Sequence, residues 1–184
     1  MSGGSLLSKG LPYDYEVEYL ESDGTDNYIA IANKLYDFEV QFYVPQGQRN
    51  VVIGFNKPNG AIVERLNNIN PVISIILNGT KFTSDVQIYG LHTVSYKNGD
   101  VLIDGIYKTH IPNNQEIGSV RLFAGDQTYY IQRIYSLKLY EQSNTMMSLI
   151  PVVKDNIGYM YDKVSGTLFG NAGAGSFIVG PRVS

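Results

Sequence analysis

The chain has 184 residues, of which 43% are hydrophobic and 17% charged, and its formal net charge is −3. This length and composition predict one globular domain with a single core. The slightly acidic balance and the lack of a basic patch exclude a nucleic-acid binder that works by neutralising phosphates. No stretch of about 18 apolar residues occurs, so no membrane-spanning helix is expected. Because cysteine is absent, disulfides and cysteine-based metal sites are also excluded.

The first ten residues, MSGGSLLSKG, are polar and rich in glycine and serine. They are too short and too polar for a secretory signal peptide. We expect residues 1–10 to form a flexible N-terminal arm and residues 11–184 to form the single domain. The absence of cysteine favours folding in a cytoplasm, since small secreted domains more often carry disulfides.

Alternating hydrophobic and polar residues predict short β-strands along the first half of the chain, and no segment has the periodicity of an amphipathic helix. The expected strands are 11–20, 27–32, 38–44, 51–55, 61–66, 72–77 and 81–86. Residues rich in glycine, proline, asparagine and serine predict turns between them, at 22–25, 45–47, 57–60 and 78–79.

The clearest local prediction in the second half is a hairpin in which strands 92–96 and 101–107 flank Asn98-Gly99. Asn-Gly supports a type I′ turn because both central residues need positive φ. Further strands are expected at 117–123 and 131–140. In the latter, we expect one face to carry Ile131, Tyr135, Leu137 and Leu139. Turn signals that recur every eight to twelve residues or so predict an all-β sandwich or jelly roll.

Residues 149–177 predict an extended segment, a turn, a strand and a glycine-rich return that closes the fold. Pro151 is expected to mark a strand edge or a sheet crossing. Gly173 and Gly175 allow a sharp return before Phe177 packs.

Four passages together resemble a known family. They are LPYDYEVEYLESDGTDNYIAI, HTVSYKNGDVLIDG, RLFAGDQ followed by IQRIYSLKLYE, and LIPVVKDNIGYMYDKVSGTLFGNAGAGSF. In this order they resemble the concanavalin A-like lectin/glucanase (laminin-G-like) jelly rolls, in the version common in bacteriophage virion proteins and proteins of gut bacteria. The likeness covers roughly residues 11–180. It implies an all-β, two-sheet antiparallel jelly-roll sandwich whose N- and C-terminal strands lie side by side.

Some members of that family are glycoside hydrolases, which need two carboxylates on one strand face. The nearest match is Glu16 and Glu18, which share a face of the expected first strand, with Glu21 three residues on. The central Asp of the family pattern is missing, and the match is not in a mid-chain strand. We therefore expect no catalytic residues. His92 and His110 have no accompanying Gly-x-Ser-x-Gly elbow, so we expect the first to be structural and the second solvated.

Calcium is the metal that the resemblance implies, since legume lectins and laminin-G domains can bind it through Asp, Asn and carbonyl oxygens. Asp23, Asp26 and Asn27 form one acidic turn, and Asp126 lies in another. Neither has the dense alternation of acids found in a dedicated Ca²⁺ loop. Solvated turns are therefore favoured over a Ca²⁺ site, and no metal site is predicted.

Sugar binding in this fold uses loops at one end or the concave sheet, with an aromatic ring under the sugar and Asn or Asp at its hydroxyls. Asp126, Gln127, Tyr129 and Tyr130 have this chemistry and are the candidate ligand-binding residues. The loop at 67–70 is a second candidate. Both segments are also ordinary in composition for loops.

The resemblance, with the low-charge surface rich in Tyr and Asn, implies a non-catalytic structural or binding module of a bacteriophage virion. It would decorate the capsid or form part of a head or tail fibre, after synthesis in the host bacterial cytoplasm. The expected partners are other virion proteins, such as major capsid or fibre subunits, and copies of the chain itself. Nucleic acid and membrane are not expected as partners. The alternative is a lectin module that recognises host or dietary polysaccharide.

Overall fold

The computed structural model describes residues 10–31, 37–47, 51–55, 61–65, 71–77, 80–112, 120–124 and 129–184. Within these ranges the chain is all-β and has no helix. No helix long and apolar enough to cross a membrane occurs in them. The predicted turns at 57–60 and 78–79, the loop at 67–70 and residues 1–9 of the predicted arm lie outside the described residues.

The described residues form seventeen strands, in agreement with the predicted class. They are β1 Tyr15–Glu16, β2 Leu20–Asp23, β3 Ile29–Ile31, β4 Asp37–Val44, β5 Val51–Phe55, β6 Ala61–Arg65, β7 Val72–Leu77, β8 Thr80–Gln87, β9 Gly90–Lys97, β10 Asp100–Ile103, β11 Ile106–His110, β12 Val120–Leu122, β13 Ile131–Glu141, β14 Asn144–Lys154, β15 Ile157–Asp162, β16 Leu168–Phe169 and β17 Ile178–Val179.

Two antiparallel sheets contain all of these strands. The large sheet has eleven strands, and its main path runs β11-β10-β9-β4-β13-β14-β15-β16. In addition, β1 pairs with β14, and β2 pairs with both β13 and β17. The small sheet has six strands in the order β3-β12-β5-β6-β7-β8. The pairing of β17 with β2 places the N- and C-terminal strands side by side, which confirms that expectation.

One hydrophobic core joins the two sheets. The large sheet contributes Val40, Phe42 and Ile134, and the small sheet contributes Ile29 and Ile75, all fully buried. Two antiparallel sheets that bury their facing residues against each other form the arrangement of a β-sandwich. The alternation read in β4 is confirmed, since its buried residues alternate with half-buried ones from residue 38 onward.

The predicted first strand is wrong in its extent. Only Tyr15–Glu16 is a strand in the region 11–19, and the chain bends at Glu18 before β2 begins at Leu20. Since β2 continues to Asp23, the turn predicted at 22–25 begins two residues later, at Gly24, whose φ is 80°.

The prediction that four residues share one face of β13 is wrong, since their burial divides them into two pairs. Leu137 and Leu139 are buried, whereas Ile131 and Tyr135 are only half-buried. Gln132, a polar residue, is instead fully buried. The alternation therefore reverses along the strand.

A β-bulge explains this reversal. The register of β13 against β4 shifts between Ile134 and Ser136, so Tyr135 is an extra residue on β13. On its other side, β13 pairs with β2 up to Ile134 and with β14 from Leu137 onward. The bulge thus lies where β13 changes from one neighbouring strand to another. Local alternation of residues cannot predict this change, because the neighbours are distant in sequence.

The Asn98-Gly99 turn agrees with the prediction, since the two residues have φ of 52° and 90°. The strand predicted at 101–107 is wrong, because a second two-residue turn with positive φ, Asp104-Gly105, divides it into β10 and β11. Asp-Gly favours such turns for the same reason as Asn-Gly.

The prediction that Pro151 marks a strand edge or a sheet crossing is wrong, since Pro151 lies inside the long strand β14 of the large sheet. On one side, β14 pairs with β13 as far as Leu149 and with β1 from Val152. Pro151 thus marks the change from one neighbour to the other, and its carbonyl oxygen accepts a hydrogen bond of 3.1 Å from the Val17 N–H. A residue without an N–H fits a position where one ladder ends.

Alanine at Gly99 should destabilise the fold more than alanine at Gly105. Both glycines have positive φ, at 90° and 77°, so each substitution strains the backbone by about 1 kcal/mol. A Cβ at Gly99 would also lie 2.4 Å from the His110 ring, whereas nothing lies within 4 Å of one at Gly105. Chemical denaturation should show the difference, and a His110→Ala background should abolish it. A difference that persists in that background would contradict this account.

Candidate functional site

Two of the four candidate ligand-binding residues, Tyr129 and Tyr130, lie in the described residues, and Asp126 and Gln127 do not. Tyr129 is half-buried and forms an isolated bridge with Ala124. Its ring centroid is 5.8 Å from that of Tyr28, with an angle of 33° between the rings. The structure therefore brings Tyr129 beside a residue that the sequence placed only in a strand.

Two charged residues, Arg121 and Asp26, complete this aromatic cluster. The Arg121 guanidinium lies 4.9 Å from the centre of the Tyr28 ring. A hydrogen bond with Asp26 raises the pKa of the Tyr129 hydroxyl, and burial raises it further. We call Asp26, Tyr28, Arg121 and Tyr129 the Tyr129 cluster.

Residues 171–175 of the glycine-rich return, which we call the closing loop, form hydrogen bonds with two members of this cluster. The Asn171 side-chain oxygen accepts a hydrogen bond of 3.1 Å from the Tyr28 N–H. The Ala172 N–H donates to the Tyr28 carbonyl at 2.8 Å, and the Ala174 N–H donates to an Asp26 carboxylate oxygen at 3.2 Å. The same hydrogen bonds thus close the fold and position Tyr28.

The acidic turn considered for calcium uses its carboxylates locally. One Asp23 oxygen accepts from the Thr25 hydroxyl at 2.7 Å and from its N–H at 2.9 Å. The hydrogen bond from the Thr25 hydroxyl lowers the pKa of Asp23. Across the described residues, no group of three or more acidic or histidine side chains is placed to hold a metal ion, and Asp126 lies outside them.

The paired carboxylates considered for glycoside hydrolysis do not lie on one strand, because β1 ends at Glu16 and the chain bends at Glu18. Glu16 accepts a hydrogen bond of 2.8 Å from the Tyr13 hydroxyl, and Glu18 is exposed. Burial and the bond to Glu16 raise the pKa of Tyr13 to about 12. Glu21 forms an ion pair with Arg133. Glu16 and Glu21 are therefore each engaged with a different neighbouring side chain.

Both histidines pair with aspartates of the β9–β11 hairpins. His92 Nδ1 lies 2.8 Å from an Asp104 carboxylate oxygen, and its Nε2 lies 3.1 Å from the Tyr89 carbonyl oxygen. These two contacts fit the structural role expected for it. His110 is half exposed, and its Nδ1 lies 2.8 Å from Asp100 Oδ1.

Sequence reasoning missed a second surface, on the face of the large sheet that points away from the core. There the Arg133 guanidinium lies 4.4 Å from the centre of the Tyr19 ring and 5.1 Å from that of Tyr43. Its Nε donates to Glu21. The Tyr135 ring, displaced by the bulge, lies 5.4 Å from Tyr19. We call Tyr19, Glu21, Tyr43, Arg133 and Tyr135 the Arg133 cluster.

Strand register extends this cluster into a row that crosses five strands. From β17 to β9 the row is Ile178, Glu21, Arg133, Tyr43 and Leu91. Both ends are apolar and open, since Ile178 is 52% and Leu91 is 53% exposed. A fixed arginine among tyrosines, flanked by exposed aliphatic residues, has the composition of a protein interface.

Further along the same face, Glu39 accepts hydrogen bonds from two lysines, Lys138 at 2.9 Å and Lys97 at 3.1 Å. Burial raises the pKa of Glu39, but these two bonds outweigh it and hold the pKa below its ordinary value. The Lys97 ammonium also lies 4.7 Å from the centre of the Tyr140 ring. These contacts hold the long lysine side chains in place on the face.

No protein-family model, no curated protein and no solved structure matches the chain.

Proposed function

We propose that this chain is a non-catalytic binding and assembly module with a concanavalin A-like jelly-roll fold. More specifically, it is an accessory protein of a bacteriophage virion that decorates the capsid or forms part of a head or tail fibre. The Arg133 cluster carries the proposal. Tyrosine and arginine dominate the binding energy of many protein interfaces, and here they are already held in place on an open sheet face.

The carboxylates support a binding role rather than hydrolysis. A glycosidase keeps two carboxyl groups facing one substrate bond. Here Glu21 is paired with Arg133 and Glu16 with the Tyr13 hydroxyl, so both serve to hold neighbouring side chains. The virion assignment is supported by the sequence resemblance of residues 11–180 and by the low-charge surface, which suits packing among many copies.

Quantitative mass spectrometry of virus-like particles purified from the native source tests the proposal. Copies in a fixed ratio to the major capsid subunit would support decoration, and a few copies per particle would support a fibre component. Absence from particles would overturn the virion assignment.

The role of the Arg133 cluster has its own test, incorporation of an Arg133→Ala, Tyr43→Ala double variant into particles. We expect at least a tenfold loss, since two interface anchors are removed. Tyr107→Ala is the matched control, because Tyr107 is an exposed tyrosine on β11 outside the cluster. Equal incorporation of both variants would contradict an interface at this face.

The Tyr129 cluster favours the second candidate function, a carbohydrate-binding lectin module. Tyr129 offers an aromatic ring, and Asp26 offers a carboxylate in hydrogen-bonding reach of its hydroxyl. A sugar ring that stacks on tyrosine and bonds to such a carboxylate has suitable partners there.

Under this alternative, Tyr129→Ala should lower glycan binding at least tenfold on a glycan array, whereas Tyr129→Phe should keep the ring and retain part of the binding. Tyr130→Ala tests the neighbouring candidate. Thermal unfolding of each variant controls for loss of structure, and Tyr107→Ala again serves as the control. Unchanged binding by Tyr129→Ala would exclude this cluster as the sugar site.

A further inference from the structure

Four described strands of the large sheet pair with a single neighbour: β1, β11, β16 and β17. Two of them, β11 and β17, form edges of very different character. Among the described strands, β11 pairs only with β10, and β17 pairs only with β2. An edge strand presents a row of main-chain donors and acceptors to which another chain can add. The side chains at each edge determine whether another strand can add there.

The β11 edge carries features that block strand addition. The Lys108 side chain is only 16% exposed, and it reaches across to Asp85 on β8 of the small sheet, with an Nζ–Oδ1 distance of 2.8 Å. The register between β10 and β11 also shifts between Val101 and Leu102. A charge held at the strand and an irregular ladder are both devices that protect an edge. If two copies paired through β11 with Lys108 on the two-fold axis, the two Lys108 ammonium groups would also lie opposite each other and repel.

The β17 edge carries no such protection. Residues 177–181 contain no charged side chain. Ile178 is 52% and Val179 is 38% exposed, and both are β-branched residues that favour strands. An open, apolar, β-branched edge of this kind favours pairing with another strand.

The main chain of β17 is oriented to pair outward. The Gly180 N–H donates to the Tyr19 carbonyl at 2.9 Å, which directs the main chain of Gly180 toward β2. Because successive residues of a strand direct their N–H and C=O groups to opposite sides, those of Val179 and Phe177 point away from β2.

We propose that two copies of this chain associate through β17, in an antiparallel two-fold pairing centred on Ile178 that joins their large sheets. In this register Val179 of each copy pairs with Phe177 of the other, and the two Ile178 side chains meet on the two-fold axis. The Ile178 pair is of the type without hydrogen bonds, in which side chains are closest. Pro181, which has no N–H, lies outside the paired segment. This inference rests on the assembly role proposed above.

A second copy fits this edge because the edge is complementary to itself. The paired residues are all uncharged, so no like charges oppose each other across the axis. Ile178 also ends the row that contains Arg133, so the pairing joins two such rows on one continuous face. Five strand spacings would separate the two Arg133 positions, which is about 24 Å. The dimer would thus present two Arg133 clusters side by side to a partner.

Sedimentation velocity over a concentration series tests the proposal. The wild-type chain should dimerise, and Ile178→Lys should raise the dissociation constant at least tenfold, because it places two ammonium groups in contact across the axis. Ile106→Lys is the matched control, since Ile106 is an isoleucine 62% exposed at the β11 edge, and it should dimerise like the wild type. A mixture of Ile178→Lys and Ile178→Glu should form a heterodimer.

A wild-type chain that stays monomeric throughout the series would overturn the proposal. So would equal effects of Ile178→Lys and Ile106→Lys, or a mixture of the oppositely charged variants that does not associate. The two proposals fail separately. A dimer in solution that is absent from particles would refute only the virion role, and a monomer in solution that is found in particles would refute only this inference.

Discussion

Replacing Gly173 by alanine is expected to lower the free energy of unfolding by about 3 kcal/mol. A Cβ at this position would lie 1.7 Å from the Asp26 carbonyl oxygen and 2.8 Å from Asp26 Oδ1. The carbonyl oxygen belongs to the main chain, so no side-chain rotation can relieve the clash. The closing loop would have to move away from the turn at residues 26–28, with loss of the hydrogen bonds that hold Tyr28. Urea unfolding measures the change as a lower midpoint.

Gly10→Ala is the matched control, because nothing lies within 4 Å of a Cβ there and its unfolding midpoint should not change. A local readout accompanies the global one. If the loop moves, the contact between Asp26 and Tyr129 loosens, and the pKa of Tyr129 should fall toward its ordinary value in an NMR titration that follows the Tyr129 ring. Wild-type stability of Gly173→Ala would mean that the closing loop does not lie against Asp26.

Local patterns were sufficient to predict much of the fold. Strand β4 follows from strict alternation, and the Asn98-Gly99 turn follows from the positive φ that both residues tolerate. The order of extended segment, turn, strand and glycine-rich return in residues 149–177 is also confirmed, with the turn formed by Asp155 and Asn156 at positive φ. In each case the information lies within a few residues of the element.

One error comes from contacts that are distant in sequence. The bulge at Tyr135 depends on β13 meeting β2 on one half and β14 on the other, which no window of β13 records. The Asp104-Gly105 turn is a different error, since its signal was present but the hydrophobic run on either side was read as one strand.

The candidate sites also combine residues that the sequence identifies with residues that only the fold brings together. Tyr129 was identified from its composition, but its neighbour Tyr28 and the role of Asp26 required the fold. The Arg133 cluster was missed because Arg133 and Glu21 are 112 residues apart and only strand register joins them. Outward-facing tyrosines on several strands were the available signal, although composition alone does not say which strands are neighbours.

The Asp162 carboxylate is buried at the end of β15 and organises the following turn. It accepts hydrogen bonds from the Ser148 N–H at 2.8 Å, the Val164 N–H at 3.1 Å and the Ser165 hydroxyl at 2.6 Å. Burial raises its pKa, but these bonds outweigh it, and the pKa lies below the ordinary value. The charged form is therefore the one that stabilises the fold.

Asp162→Asn is expected to lower the free energy of unfolding by about 2 kcal/mol at neutral pH. The asparagine side chain has one acceptor oxygen instead of two, and its own NH₂ group would face donors that now bond to the carboxylate. A group with a depressed folded-state pKa contributes stability that is present above its unfolded-state pKa, about 3.9 for aspartate, and is lost as the pH falls through the folded-state pKa. The difference between wild type and Asp162→Asn should therefore be constant at neutral pH and shrink in acid below that value. Urea unfolding across the acidic range measures this difference.

Asp155→Asn is the matched control, because Asp155 is exposed in a turn at positive φ, which asparagine also tolerates. It should unfold like the wild type at every pH. If the effect of Asp162→Asn did not diminish in acid, the stabilisation would come from the shape of the side chain and not from its charge. The turn at residues 163–166 would then be held by packing, and the hydrogen bonds to the carboxylate would be secondary.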